Sequence, residues 1–464
     1  MMKRLGRAWW ILCLIGVSGV PAAARGDEPQ NRNDPPARGS LPASKPTDER
    51  GLQTVAQSRY ESGDLAGALV AWNQIGRPRI ESVKVEGNER TDAAVILRAA
   101  ALAPDMLLTP QRFRLAERRL DELPVVGQST VHFETITNGR AHVVARITER
   151  PVLPQGWMGW ASTGIRAVFQ DELRVDVAGL TSQSEVTTGT YRWSSNRPRV
   201  GGQFAVPAPG GLPGVLRFDG SWERQSYLPD LAGDPLIVQP RIRAGVNVSD
   251  WITGTLRWQL GAAFDRIAST NYAGIDANLN ARFAGDHVAA IASVSHWTSI
   301  GTGRAFSSTD LYGTYRSTVL PERPVWTTLA GVTLASDNAP LAVWPGAGSG
   351  RGRGALLRAH PLLKMGVLTG EAFGRRLAYS STEYERPLYG SEYGTVSLAG
   401  FLDIARAWRR QFPLGPTPWL ADIGGGIRFN TPTAGGKVRI DFAYGLRDGG
   451  VRLSAGYLNA WGRR

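Results

Sequence analysis

Apolar and polar side chains alternate one by one through most of the chain from Trp157 onward. Leu216, Phe218 and Trp222 alternate with charged neighbours, and the same period of two recurs over residues 256–265, 438–444 and 451–457. A period of two predicts β-strands with one apolar and one polar face. No helical period interrupts the pattern, so residues 152–464 are predicted to form one large antiparallel β domain.

Residues 78–151 follow a mixed pattern that predicts a small α+β domain. Residues 80–86 alternate as a strand, and Thr91 is a candidate cap for a first helix. Thr109-Pro110 opens a second helix with one apolar face. Asn138-Gly139 separates two further alternating runs, which is typical of a hairpin turn. The predicted order is β-α-α-β-β.

Residues 51–77 predict a helical hairpin. The spacing of Tyr60, Gly63, Ala68 and Trp72 is similar to that of a tetratricopeptide repeat, although a plain helical pair fits equally well. One such unit cannot bury its own apolar face, so it should pack on its neighbour or on a partner. The preceding residues 25–50 are rich in proline, aspartate, asparagine and arginine and predict a disordered linker.

Residues 1–24 predict a secretory signal peptide. A basic start precedes an apolar run from Ala8 to Val20, and small residues ending at Ala24 follow it. The alternative, a membrane anchor, is disfavoured because the run is shorter than the roughly 18 residues that a spanning helix needs. The only cysteine, Cys13, lies in this run, so the mature chain has neither disulfides nor thiol chemistry.

Export decides between two readings of the alternating domain, a soluble sandwich and a membrane barrel. The chain has 55 Gly and 15 Trp, and its polar strand faces carry charges of both signs. An apolar band facing lipid and a wet lumen explain these features together. We therefore predict a transmembrane antiparallel β-barrel of about 16 strands, with about eleven before residue 336 and five after the following loop; 12 strands would also close.

The net charge of +13 raises the possibility of nucleic-acid binding. The arginines, however, are spread singly along alternating strands that also carry Asp and Glu. Charge lining a wet interior accounts for them, so no nucleic-acid partner is expected.

The stretch from Trp344 to Asp403 carries the candidate functional residues. Its loop, residues 336–364, is rich in glycine and in arginines, namely Arg351, Arg353 and Arg358. In the strand that closes the stretch, Asp403 lies opposite an aliphatic stripe and therefore needs water or a cation. We predict that the loop folds into the lumen and that an arginine binds Asp403 through a two-pronged contact. The alternative makes Asp403 one more solvated lumen charge.

Several motifs resemble those of a known superfamily. Residues 78–151 resemble a POTRA domain in Val85-Glu-Gly87-Asn88 and in the closing Ile147-Thr-Glu149-Arg150-Pro151, an unrelated α+β domain being the alternative. Phe401-Leu-Asp403 matches a Phe-x-Asp motif. Leu357-Arg358-Ala359-His360 is the best match to a Val-Arg-Gly-Tyr/Phe motif, from which it departs at the glycine and the aromatic. Thr382-Glu383-Tyr384 resembles a Glu-containing strand between these motifs.

Over roughly residues 78–464 the chain thus resembles the outer-membrane assembly-factor superfamily, the bacterial surface antigens that include BamA, TamA and the two-partner secretion transporters. The resemblance implies that Arg358 contacts Asp403 beside Phe401 and Glu383, with Arg351 and Arg353 as alternatives. It also implies a bacterial outer-membrane location, a periplasmic N-terminal domain that receives clients by strand addition, and partners that are membrane lipid, polypeptide clients and accessory periplasmic proteins.

The function expected is insertion or translocation of polypeptide, with the lumen gated by the arginine-bearing loop. A passive pore or structural barrel with a periplasmic tether is the alternative. No enzyme is expected, because the chain lacks a Gly-x-Ser-x-Gly elbow and His-Glu-x-x-His spacing, and a barrel-bound lipid enzyme would need a nucleophile that is not found. No cofactor, metal or ATP site is expected.

Overall fold

The computed structural model describes most of the chain beyond residue 48. The described residues are 49–155, 160, 163–164, 167–168, 171–228, 236–320, 323–348, 356–369, 372–391, 394–408, 418–430 and 436–459. The predicted signal peptide and nearly all of the predicted linker lie outside them.

Two helices and a three-stranded α+β domain form the N-terminal part. The helical hairpin consists of α1 (Glu49–Glu61) and α2 (Leu65–Asn73). The domain contains β1 (Arg79–Glu86), α3 (Ala93–Ala100), α4 (Pro110–Glu122), β2 (Val126–Ile136) and β3 (Arg140–Glu149). Its sheet has the order β1-β3-β2, with β1 parallel and β2 antiparallel to β3. The predicted β-α-α-β-β order is confirmed.

Local sequence accounts for these helix ends, with one correction. The Thr109 side chain accepts a hydrogen bond from the Arg112 amide, and Pro110 occupies the first turn of α4. The cap of α3 was predicted at Thr91, but it is Asp92, which accepts from the Ala94 amide. Thr91 is buried, and its own amide donates to Glu149 over 2.8 Å.

The helical hairpin packs on the α+β domain rather than standing alone. Tyr60 of α1 and Trp72 of α2 have ring centroids 5.5 and 6.3 Å from that of Phe133 on β2. The Tyr60 hydroxyl also donates to the Phe133 carbonyl over 2.9 Å. The hairpin and the domain therefore share one core, as expected of a pair that cannot bury its own face.

The remainder of the described chain is a closed barrel. Among the described residues, 17 strands belong to its sheet, of which fifteen form the wall and two form a short hairpin. The wall strands are β4 (Glu172–Ala178), β5 (Val186–Arg192), β6 (Arg199–Pro207), β7 (Val215–Tyr227), β8 (Ile237–Trp251), β9 (Leu256–Ile267), β10 (Thr270–Phe283), β11 (Val288–Ser299), β12 (Phe306–Arg316), β13 (Val325–Ala335), β16 (Arg376–Ser391), β17 (Gly394–Trp408), β18 (Leu420–Asn430), β19 (Gly436–Gly445) and β20 (Val451–Asn459).

The loop between β13 and β16 contains the hairpin β14 (Leu363–Lys364) and β15 (Val367–Leu368). It therefore extends to residue 375 instead of ending at 364. Strand β13 pairs directly with β16, and the sheet order sets β20 beside β4. The wall is thus continuous without the loop.

The apolar strand faces point outward and the charged faces point inward. On β10, Ile275, Leu279 and Phe283 are 65%, 50% and 54% exposed, whereas Asp265 on β9 and Asp441 on β19 are fully buried. Exposed aromatic side chains lie at both barrel ends, Trp326 at one and Trp193 and Trp419 at the other. No helix in the described ranges is both long and apolar enough to cross a membrane.

The predicted β-barrel is confirmed, and its strand positions differ in one place. Five described wall strands follow the long loop, as predicted, while ten precede it instead of eleven. The strand predicted near Trp157–Val168 lies mostly outside the described residues, and its described positions are helical. Trp157, Trp160, Ala161, Ile165 and Val168 follow helical spacing, which competes with a strand there.

Candidate functional site

Four adjacent wall strands supply the inward-facing polar residues of the candidate site. On β16 and β17 the register pairs Ser381 with Asp403 and Glu383 with Phe401. Strand β18 adds Arg428, and β19 adds Asp441. Alternation sets all of these side chains on the interior face, because their neighbours on the same strands carry the outward aliphatic groups.

Arg358 reaches this patch from the long loop and is 2% exposed. Its Nη1 lies 2.8 Å from Glu383 Oε2, and its Nε lies 3.3 Å from Asp403 Oδ2 and 3.7 Å from Asp441 Oδ2. The guanidinium carbon is 3.8 Å from the centroid of the Phe401 ring. The structure thus brings together Arg358, Glu383, Phe401 and Asp403, the four residues predicted to act as one group.

The two-pronged contact was predicted between Arg358 and Asp403, but a different arginine makes it. Arg428 Nε and Nη2 donate to the two carboxylate oxygens of Glu383 over 2.9 and 2.7 Å. Asp403 instead accepts from the Ser381 hydroxyl over 2.6 Å. Within the described part of the chain, Arg358 Nε, Arg358 Nη1 and Asp403 Oδ2 are buried without a hydrogen-bond partner. Charge attraction and the aromatic face therefore hold Arg358, rather than aligned hydrogen bonds.

Charges balance across this buried cluster. Arg428 Nη1 also donates to Asp441 Oδ1 over 2.6 Å, and Arg439 pairs with the other oxygen of Asp441. Three guanidinium groups thus face the carboxylates of Glu383, Asp403 and Asp441. Removal of any one of them leaves an uncompensated buried charge, which is costly.

The residues beside Arg358 make a second polar contact with the wall. The Ala359 amide donates to Asp422 Oδ2 over 2.6 Å, and His360 Nδ1 lies 2.7 Å from Asp422 Oδ1. The other ring nitrogen of His360 lies 3.3 Å from Asp448 Oδ2. Three consecutive loop residues therefore contact acidic groups on the barrel wall or its turns.

Apolar contacts hold the two ends of the same loop. The Trp344 and Phe373 rings have centroids 5.7 Å apart, and Phe373 stacks on Tyr227 of β7 at 6.1 Å. Leu368 pairs with Tyr227 in parallel fashion. The loop is thus held by apolar packing at its base and by charges at Arg358.

Two of the predicted alternatives cannot be compared with Arg358, since Arg351 and Arg353 lie outside the described residues. Sequence reasoning missed Arg428, Arg439, Asp441 and Asp422. The available indication was alternation over residues 427–430 and 438–444, which predicts that Arg428 and Asp441 lie on polar faces. The glycine at position 424 leaves room for the Phe401 ring, because a Cβ at Gly424 would lie only 2.6 Å from Phe401 Cζ.

A second cluster joins the N-terminal domain to strand ends at one end of the barrel. Glu122 of α4 accepts from Arg257 Nη2 over 2.6 Å and from Arg217 Nη2 over 3.0 Å. Arg119 donates to both oxygens of Asp250 over 2.9 and 2.6 Å. Burial opposes ionisation of Glu122, but the two arginines overcome it and lower its pKa. Helix α4 is therefore held to the barrel by charge-assisted contacts.

Glu117 on the same helix gives this contact a pH dependence. Burial, opposed by Arg118, raises the pKa of Glu117 to about 7 from an ordinary value of 4.5. Protonated Glu117 therefore stabilises the folded state fully below pH 4.5, and this stabilisation is lost as pH rises through 7. For the folded full-length chain, we expect unfolding of the N-terminal domain at pH 8 to be easier by roughly 1 kcal/mol than at pH 5.

Calorimetry of Glu117→Gln at both pH values tests this expectation, because the amide removes the loss at high pH. The exposed Glu89→Gln is the matched control and should keep the wild-type pH dependence. An identical pH dependence in Glu117→Gln and the wild type would contradict the assignment.

Comparison with known proteins shows a fold likeness. A scan against protein-family models gives no match, and a search of curated proteins gives none either. The structure of CdiB from Escherichia coli is similar with a TM-score of 0.53 at 10% identity, covering 92% of each chain. CdiB from Acinetobacter baumannii has a TM-score of 0.50 at 11% identity, covering 82% of this chain and 73% of that chain. These two structures share the fold of this chain.

Proposed function

We propose that this chain is an outer-membrane barrel that inserts or translocates polypeptide and is a member of the outer-membrane assembly-factor superfamily. The fold likeness to the two CdiB structures supports the barrel architecture. The observation that carries the proposal is a closed barrel with an apolar outer face and a charged interior that holds a long loop. Such a surface suits acyl chains outside and a polar path inside.

Occupancy of the lumen favours a gated route over a passive pore. The loop that carries Arg358 contacts inward-facing residues of β16, β17, β18 and β19, so a client would have to displace it or pass elsewhere. Lateral opening between β4 and β20 is the second route. Bilayer conductance distinguishes these functions: a gated barrel gives small, flickering currents, whereas a passive pore gives large, steady ones.

Strand β2 is the proposed edge for client binding. The outer side of β1 is occupied at its first residues. There the Ile80 amide donates to the Met106 carbonyl, the Asp105 amide donates to the Ile80 carbonyl, and the Leu108 amide donates to the Pro78 carbonyl. On β2, the Phe133 carbonyl points away from β3 and receives only the Tyr60 hydroxyl among the described residues. Residues of the same parity present their backbone groups to this side of β2, where the Thr135 amide also contacts the Tyr60 hydroxyl. An added strand would replace Tyr60 at this pair of backbone groups.

A proline at Thr135 should block strand addition while leaving the β2–β3 ladder in place. Proline removes an amide that faces away from β3, a position that an edge strand tolerates. We expect Thr135→Pro to reduce client crosslinking to the N-terminal domain in cells by about tenfold. The reason is that the variant loses roughly one hydrogen bond to the client and the strand register that this bond fixes.

Thr135→Val is the matched control and should crosslink as the wild type does, because it keeps the amide. Crosslinked segments are then identified by mass spectrometry. Equal crosslinking by the proline and valine variants would refute the β2 edge as the client site. Failure of the wild-type chain to capture any polypeptide would refute the transport function itself.

A further inference from the structure

Two arginines occupy outward positions on adjacent strands at the barrel end opposite the N-terminal domain. Leu377 and Tyr379 of β16 are buried and point inward, so Arg376 points outward. Leu398 and Leu402 of β17 are exposed, and Arg406 shares their parity. The turns that contact the N-terminal domain lie at the other end of these strands. Both arginines thus face the surroundings of the barrel near its distal rim.

Strand register brings the two arginines close together. Arg376 is opposite Trp408, and Arg406 is opposite Ala378, so the two arginines are diagonal neighbours on one face. Cβ atoms in such positions lie within about 8 Å, within reach of long side chains. Two positive groups at this spacing repel each other unless an anion lies between them.

Aromatic rings hold Arg406 but leave its hydrogen-bonding capacity unused. Its guanidinium carbon lies 5.6 Å from the Trp408 ring centroid and 5.9 Å from that of Trp419. In the described ranges, its buried Nε has no hydrogen-bond partner, and neither Arg376 nor Arg406 has a carboxylate partner. An arginine packed beside two rings, with no acceptor from the described chain, can bind an external acceptor through the rest of its guanidinium group.

Inward-facing arginines of the same barrel, in contrast, have carboxylate partners. Arg241 donates to both oxygens of Asp265, and Arg428 donates to both oxygens of Glu383. A carboxylate of this chain thus neutralises each of them. Arg376 and Arg406 have no counterion in the described structure, so their counterion should come from the surroundings.

We propose that Arg376 and Arg406 bind the phosphate group of a lipid in the leaflet at this end of the barrel. Guanidinium groups bind phosphate oxygens in pairs, and tryptophans such as Trp408 and Trp419 favour the headgroup region. The inference rests on the proposed membrane location. It goes beyond transport, because it assigns a lipid site on the outer wall that neither the loop nor the client uses. With the N-terminal domain in the periplasm, the ligand is a phosphorylated lipid of the outer leaflet.

The test uses the full-length chain in nanodiscs that contain lipid A, a glucosamine lipid with two phosphates. After transfer to detergent, native mass spectrometry counts the retained lipid. We expect one lipid A per wild-type chain, and at least a tenfold smaller retained fraction for Arg376→Gln/Arg406→Gln. Lipid A without phosphates should be retained at least tenfold less by the wild type.

Two control variants test whether any outward arginine of the barrel, and not this pair alone, retains lipid A. Arg266→Gln removes an outward arginine near the same end whose register partners are Ile242 and Asn271, not tryptophan. Arg386→Gln removes an exposed outward arginine near the other end of β16. Both should retain lipid A as the wild type does. If both lower retention as far as the double variant, the pair is not a specific site.

Other outcomes are equally decisive. Equal retention by the wild type and the double variant, or equal retention of lipid with and without phosphates, overturns the proposal. If the double glutamine variant fails to fold, Arg376→Lys/Arg406→Lys replaces it, because lysine keeps the charge. This variant should retain less lipid A than the wild type does, but more than the wild type retains of lipid A without phosphates. Retention equal to that of the wild type would contradict guanidinium recognition. Failure of the wild type to enter nanodiscs would instead refute the membrane location.

Discussion

Replacing Arg358 with alanine is expected to turn small, flickering barrel currents in planar bilayers into larger and longer openings. Among the described residues, the substitution leaves the Ser381 hydroxyl as the hydrogen-bond donor to Asp403, and it removes one of three cations from a buried cluster. Removing one partner of a buried ion pair costs about 3 kcal/mol. That cost corresponds to roughly a hundredfold shift toward states in which the loop has left the wall.

The control for this experiment is Arg243→Ala. Arg243 also faces the lumen, but it pairs with Asp219 and Asp265 on neighbouring strands and not with the loop. It should leave the open probability unchanged. Arg358→Lys keeps a charge but cannot cover the Phe401 ring in the same way, so it should give intermediate openings. If Arg358→Ala gives the same currents as the wild type, the Arg358 contact does not gate the lumen.

Replacing Glu122 with alanine is expected to release the N-terminal domain from the barrel. Arg217 and Arg257 both point at this carboxylate and would be left facing each other without it. Truncation of one partner in a hydrogen-bonded charge cluster costs about 2–5 kcal/mol, which should accelerate local opening at least tenfold. Amide hydrogen exchange in α4 and in the turn at residues 252–255 measures that opening directly.

Glu134→Gln is the comparison for Glu122→Ala, because it removes an exposed carboxylate of the same domain far from this contact. It should exchange as the wild type does. High salt should have little additional effect on Glu122→Ala while accelerating exchange in the wild type, since screening weakens charge pairs. Unchanged exchange in the alanine variant would show that apolar contacts, and not this carboxylate, hold the domain.

Sequence reasoning identified much of the candidate site because period-two alternation survives folding. Phe401 and Asp403 had to share a face whatever surrounded the strand, and Glu383 was found through the motif resemblance. Arg428 and Asp441 were missed, because their distance from Glu383 depends on the register between β16, β17, β18 and β19. Register is not visible in any one strand. For the same reason, the two-pronged contact was assigned to Asp403 when Arg428 makes it with Glu383.

The sequence alone determined the order of strands and helices in residues 78–151, the helix cap at Thr109 and the two-faced character of the barrel strands. These properties depend on neighbours within a few residues along the chain. The sequence analysis also predicted that the apolar faces point outward, whereas only the tertiary structure decided that Arg358 meets three carboxylates and that Arg376 and Arg406 lie side by side. Closure of the sheet selects an inside and an outside, and contacts between distant segments arise only after that selection.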